Sequence, residues 1–219
     1  RTAALNWLKG GDADAFREAM ETLRENYPRP AFYSAMNFLG THDTARILTE
    51  LGAKAVPQSR DGRALYRLTE EERRAGTELL KLAALLLFTF PGSPTVYYGD
   101  EAGMEGFEDP FNRGAYPWDR EDEPLKDWFT RLGQLRRERE SLQSGGIEYL
   151  FSSGAGLAFR RQSGDERSMT ALNAGSDPLT LVLPWEKRDA TDAMTGRTFS
   201  TSGGTIALQL EPRSSMLLL

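Results

Sequence analysis

The chain has 219 residues, no cysteine, a single histidine and a formal net charge of -5 at pH 7. That length can bury a sizeable core, in one large domain or two modest ones. The acidic balance argues against a nucleic-acid partner, whose phosphates need a basic surface. The cysteine count excludes disulfides and thiolate metal sites, and one histidine excludes a multi-histidine metal cluster.

The first stretch, "RTAALNWLKG", has no initiator methionine and none of the apolar core or cleavage site of a secretory leader. The chain is therefore expected to be cut from a longer parent protein. Residues 12 to 27 predict an amphipathic helix: Phe16, Ala19, Met20, Leu23 and Tyr27 recur at helical spacing behind Asp12, a good N-cap. "YPRP" stops it. "AFYSAMNFL" then predicts a short strand covered on both faces.

Thr69 and Glu72 have the spacing of a capping box and open a long helix to about Phe90. Its second half is apolar nearly all round, as in a buried helix. The most apolar stretch, "KLAALLLFTF", is far shorter than the ~20 residues of a membrane span. "PGS" ends the helix and "PTVYYG" predicts a second short buried strand. A third helix starts at Pro124, with Leu125, Trp128, Phe129, Leu132 and Leu135 on one face and Arg136-Arg137 near its C-terminus.

After "SLQSGG" the pattern changes. Ile147, Tyr149 and Phe151 alternate, as do Leu157 and Phe159, then Leu179, Leu181 and Leu183, then Ile206, Leu208 and Leu210. Turn-forming stretches such as "NAGSDP" and "STSGG" separate them, which predicts an antiparallel β-sandwich beginning near Ser144.

Polar chemistry gathers just after the two early strands, where barrel and open α/β folds carry their sites. "GTHD" follows the first and "GDEAGMEGFEDPFNRGAYPWD" the second. An aspartate there suits stabilisation of developing positive charge, and an imidazole suits a hydrogen bond to a hydroxyl. Asp43 equally suits the N-cap of a helix from Thr44, with His42 a satisfied turn residue. The second loop mixes acids, Arg113 and the aromatics Phe107, Phe111, Tyr116 and Trp118. That set fits a sugar, and it also fits a solvated loop with an apolar anchor.

Longer motifs narrow this choice. "NFLGTHDTARIL" resembles the fourth conserved region of the α-amylase family of glycoside hydrolases. "FPGSPTVYYGDEAGMEG" resembles that family's motif on the last barrel strand, and "DPFNRGAYPWD" the loop after it in the cyclomaltodextrinase, neopullulanase and maltogenic amylase branch. The resemblance implies an α/β plus all-β chain: residues 1–143 as the end of a (β/α)8 TIM barrel, strands seven and eight with their helices, and residues 144–219 as the β-sandwich. It implies that Asp43 is the carboxylate that stabilises an oxocarbenium-like transition state. It makes His42 a hydrogen-bonding partner of the same sugar ring, and Asp109 and Arg113 the pair that grips the next sugar. Glu101 takes a supporting place in the pocket floor.

A retaining glycosidase also needs a nucleophile and a general acid. In the family the nucleophile follows strand four in a "GxRxD"-like motif and the acid glutamate follows strand five. No "GxRxD" occurs here, so both are expected before Arg1 and the 219-residue chain alone is expected to be inactive. The implied substrates are cyclodextrins, pullulan or maltooligosaccharides. A non-catalytic α-glucan-binding module and a purely structural fragment are the competing readings. No cofactor is expected, and a calcium site in the parent would lie upstream. Nucleic acid and membrane are not expected partners. Self-association, or association with the upstream part of the barrel, is. The family branch favours the cytoplasm, while the location itself stays open.

Overall fold

The computed structural model describes residues 1–219. The chain opens with α1 (Thr2–Leu8) and α2 (Ala13–Asn26). Asp12 caps α2 as its sequence predicts, its side chain accepting from the Asp14 amide. A short helix the sequence did not predict, α3 (Arg29–Tyr33), follows. Pro30 stands in its first turn, where the missing N–H costs nothing. Phe32 holds α3 down through an edge-on contact with Phe90. The strand expected over residues 31–39 therefore shrinks to β1 (Met36–Phe38).

Beyond β1 come α4 (Ile47–Gly52), α5 (Arg60–Leu65) and α6 (Glu70–Thr89). The capping box at Thr69 and Glu72 is formed in both directions. β2 (Ser93–Thr95) lies parallel to β1, with Met36 opposite Ser93 and Phe38 opposite Thr95. The predicted "PTVYYG" strand is cut short because Tyr97–Asp100 turns, the Asp100 amide donating to Tyr97 O. These strands are not covered on both faces as expected. They pair only with each other, and Met36 is 65% exposed. No helix is long and apolar enough to cross a membrane.

α7 (Glu123–Glu138) is capped by Asp122 and buries Leu125, Phe129, Leu132 and Leu135 against α6. Trp128 is only half-buried, its indole N–H donating to Lys81 O. α8 (Glu140–Gln143) leads into strands alone: β3 (Gly146–Ser153), β4 (Gly156–Ser163), β5 (Glu166–Asn173), β6 (Leu179–Pro184), β7 (Asp189–Thr191), β8 (Thr198–Ser200), β9 (Thr205–Leu210) and β10 (Ser214–Leu218). β10, β5, β4 and β3 form one antiparallel sheet in that order, and β6–β9 and β7–β8 form two further antiparallel pairs.

Side-chain alternation explains how these layers meet. On β4, Leu157 and Phe159 join the helical core, where Phe90 packs edge-on against Phe159, while Ala158 joins Leu181, Leu183, Ile206 and Leu208 on the other side. β4 and β5 are thus buried on both faces, between helices and the β6–β9 pair. β5 lacks period-two polarity for this reason and escaped prediction, as did β10.

Candidate functional site

Both loops that follow the parallel strands converge on one turn. β1 runs through Leu39 and Gly40 into Thr41–Thr44. Two threonines close that turn: the Asp43 amide donates to Thr41 Oγ1 at 3.2 Å and the Thr41 amide to Thr44 Oγ1 at 3.1 Å. His42 and Asp43 project from it, their side chains 62% and 73% exposed, with Nε2 and Oδ2 3.2 Å apart. The helix expected from Thr44 begins only at Ile47, and its N-cap, Arg46, makes no side-chain cap. Asp43 therefore caps nothing, and that alternative falls.

Buried groups the sequence did not single out hold the turn and the segment that follows it. Asn112 is fully buried and its Nδ2 donates to the carbonyls of His42 (2.8 Å) and Thr44 (2.7 Å), with Thr41 O at 3.4 Å. Arg46 is also fully buried. Its guanidinium lies over the rings of Tyr97 and Tyr98, 4.4 and 4.6 Å from their centroids. It donates to Tyr98 O and, at 3.2 Å, to Asp100 Oδ1. Burial pushes the Asp100 carboxyl up to about 7, against the opposing pull of Arg46. Gly40 is where the two loops press closest: a Cβ there would stand 2.3 Å from Asp100 Oδ2. Nothing local in the sequence pairs Arg46 with Asp100, which lie 54 residues apart.

The long loop after β2 is anchored at several points. The Arg46 amide donates to Gly106 O, and the Gly106 amide to Thr49 Oγ1, both at 2.9 Å. A Cβ at Gly106 would meet Phe111 O at 2.1 Å, so the loop can fold back only on glycine. Phe107, one of the candidate sugar-stacking aromatics, is instead buried and packs edge-on against Tyr66. It is the loop's apolar anchor. Phe111 is half-buried, while Trp118 is 74% exposed with its ring centroid 4.6 Å from Tyr116. Asp109 and Arg113 form an ion pair, Oδ1 to Nε 2.7 Å, and both side chains remain about half exposed. Glu101 is half-buried, its Oε2 without a hydrogen-bond partner. No group of three or more His, Asp or Glu side chains is arranged to hold a metal ion.

An exposed imidazole–carboxylate pair at a strand end, beside a loop offering a second carboxylate and a guanidinium, suits a hydroxyl-rich ligand. Comparison with known proteins points to the same class. The model of the alpha-amylase catalytic domain matches residues 3–193. The chain belongs to the alpha-amylase family of glycoside hydrolases, whose fold is a TIM barrel. Within the family it is 34% identical to an amylopullulanase from Thermoanaerobacter thermohydrosulfuricus, over 95% of this chain and 15% of that protein. It is 27% identical to a cyclomaltodextrinase from Geobacillus thermopakistaniensis, over 98% of this chain and 34% of that protein. It superposes on the crystal structure of an Anoxybacillus alpha-amylase with a TM-score of 0.80 at 25% identity, covering 99% of this chain and 44% of that one. The chain thus spans a minor part of the length of each. The motifs resemble the cyclomaltodextrinase branch, yet the identity to the amylopullulanase is higher.

Proposed function

We propose that residues 1–143 complete the barrel of an α-glucan-acting retaining glycoside hydrolase and that residues 144–219 are its C-terminal β-sandwich. In this reading Asp43 stabilises the oxocarbenium-like transition state. His42 hydrogen-bonds the same sugar ring, and Asp109 and Arg113 exchange part of their mutual ion pair for hydroxyls of the neighbouring sugar. Cyclodextrins, pullulan and maltooligosaccharides are the substrate class, in keeping with the names of the amylopullulanase and cyclomaltodextrinase relatives. The observation that carries the reading is the Thr41–Thr44 turn, whose backbone is tied down by the buried Asn112 while the His42 and Asp43 side chains stay exposed.

The nucleophile and the general acid belong, in this reading, to the part of the parent protein that precedes Arg1. The 219-residue chain alone then binds without cleaving, since one carboxylate cannot run a two-step covalent mechanism. The open edges of β1 and β2, and an apolar groove beside β1 lined by Phe16, Met20, Phe38 and Phe90, support self-association or docking of that upstream part. Sedimentation velocity at rising concentration checks the self-association, and a monomer throughout would refute it.

Asp43→Asn in the full-length parent is the decisive experiment. The fold should survive, because the Asp43 side chain makes no hydrogen bond to any helix or strand, and kcat should fall far more than KM rises. His42→Ala should do less, a neutral hydrogen bond being worth roughly 0.5–1.5 kcal/mol net. A near-wild-type kcat for Asp43→Asn would end this reading.

A further inference from the structure

We propose that Asn112 is a positioning residue: it fixes the turn that carries His42 and Asp43 and so sets the direction of the Asp43 carboxylate. This rests on the role of Asp43 given above. The geometry is unusual for a loop asparagine. Asn112 is fully buried although its neighbour Arg113 is exposed. Its amide nitrogen has two hydrogens, and it faces three carbonyls of one four-residue turn: His42 and Thr44 at 2.8 and 2.7 Å, Thr41 at 3.4 Å. The carbonyls of the two residues flanking Asp43 are thereby pinned, leaving the Asp43 peptide little freedom to rotate.

The choice of side chain is restrictive. A leucine, branched at the same carbon, would leave His42 O and Thr44 O facing apolar carbon. An aspartate would set its negative oxygens against carbonyl oxygens. Only a neutral amide supplies two hydrogens from a single atom at that reach. The Asn112 Oδ1 is buried with no hydrogen-bond partner, so the residue gives up one favourable contact to make the other two. Asn112 also lies between Asp109 and Arg113 in sequence, one residue before the latter. The segment that offers the Asp109–Arg113 pair to a sugar is therefore the segment that holds the Asp43 turn. Displacement of one must strain the other.

A matched control exists in the same chain. Asn173 is buried in the β portion and also donates Nδ2 to several carbonyls, those of Asp177, Leu210 and Glu211. It has no contact with the turn.

His42 is the sole histidine, so its imidazole NMR signals report on the turn without assignment of the rest. In the 219-residue chain, Asn112→Ala and the near-isosteric Asn112→Asp should each move or split the His42 signals at neutral pH, and Asn173→Ala should not. In the full-length parent, Asn112→Ala should lower kcat on maltotriose by about tenfold or more with KM changed by less than about threefold, as for a group acting only through the transition state. In an Asp43→Asn background the same change should cost nothing further, because the group being positioned is gone.

Unmoved His42 signals in a folded Asn112 variant would overturn the proposal, as would kcat losses that simply multiply in the double variant. Collapse of both Asn112 variants while Asn173→Ala stays folded would assign Asn112 to stability alone and overturn it too. If Asp43→Asn by itself keeps full kcat, the glycosidase role of Asp43 falls. The His42 signals then still decide whether Asn112 holds the turn.

Discussion

Replacing Arg161 with methionine tests what joins the helical and β portions. Arg161 on β4 is fully buried and donates to Thr89 O at 2.6 Å and to Gly145 O through two nitrogens, at 2.8 and 3.1 Å. Thr89 is the last residue of α6, whose final carbonyls have no intrahelical donor. Arg136 on α7 serves the same helix end, donating to Phe88 O, Phe90 O and Gly92 O. Two cations thus sit at the negative end of the α6 dipole. Two carbonyls would each lose a charged donor in Arg161→Met, about 1.5–3 kcal/mol apiece, or roughly 3–6 kcal/mol gross. Against this, burial and the neighbouring Arg136 charge lower the Arg161 pKa from 12.5 to about 10. At about 1.4 kcal/mol per unit, removing the buried charge returns roughly 3 kcal/mol. The expected net loss is therefore ~0–3 kcal/mol, well below what the hydrogen bonds alone suggest. Part of the returned energy is repulsion between the two arginines. Each single change already relieves that repulsion, so Arg136→Met with Arg161→Met should destabilise by more than the sum of the single changes. Urea unfolding followed by far-UV circular dichroism measures all four corners of this cycle. A double loss equal to or below the sum, or a single loss near the gross figure, would refute this opposition of hydrogen bonding to burial and charge repulsion.

Two further perturbations address the site and the acid response. Arg113→Ala in the parent should lower kcat/KM on cyclodextrin and maltotriose more than tenfold, that is by more than ~1.4 kcal/mol. It should barely change Tm, because its half-exposed ion pair with Asp109 is worth only ~0–1 kcal/mol; a fall in Tm with kcat/KM intact would refute the sugar-binding role. Glu72→Gln probes low pH. The Glu72 carboxylate accepts from the Lys54 amide, the Tyr66 hydroxyl and the Thr69 amide and hydroxyl, which hold its pKa down from 4.5 to about 2. A depressed carboxylate stabilises the fold above about 4.5 and loses that contribution as pH falls toward about 2. The wild type should therefore lose more stability than Glu72→Gln across that window in urea titrations, and parallel curves would contradict it.

The features legible in the sequence are those in which a side chain answers its own backbone. Asp12 and the Thr69–Glu72 box cap their helices from within a few residues, so spacing alone exposed them. The apolar face of α7 was equally plain. What escaped depends on partners distant in the chain. β1 and β2 were expected but not their brevity: each keeps only the three residues of the Met36–Phe38 pairing with Ser93–Thr95. α3 was hidden by Pro30, which ends one helix pattern yet fits the first turn of the next. β5 reads as featureless because two layers bury both its faces.

The site divides in the same way. His42 and Asp43 stood out because the sole histidine beside an aspartate after a short apolar run is a local anomaly, and Asp109 and Arg113 because of their motif. Asn112, Arg46 and Asp100 did not, since an asparagine inside a polar loop looks like any other until its amide meets a turn seventy residues earlier. The energetics follow from this split. Exposed groups such as Asp43 contribute little to stability and are free to serve a ligand. Buried groups such as Asn112 and Arg46 bear the cost of desolvation, and part of that cost is not recovered: Asn112 Oδ1 and Arg46 Nε and Nη2 have no hydrogen-bond partner. A fold selected for stability alone would fill those places with apolar side chains. Their presence around one exposed turn argues that the position of that turn, more than the stability of the loops, is what these residues secure.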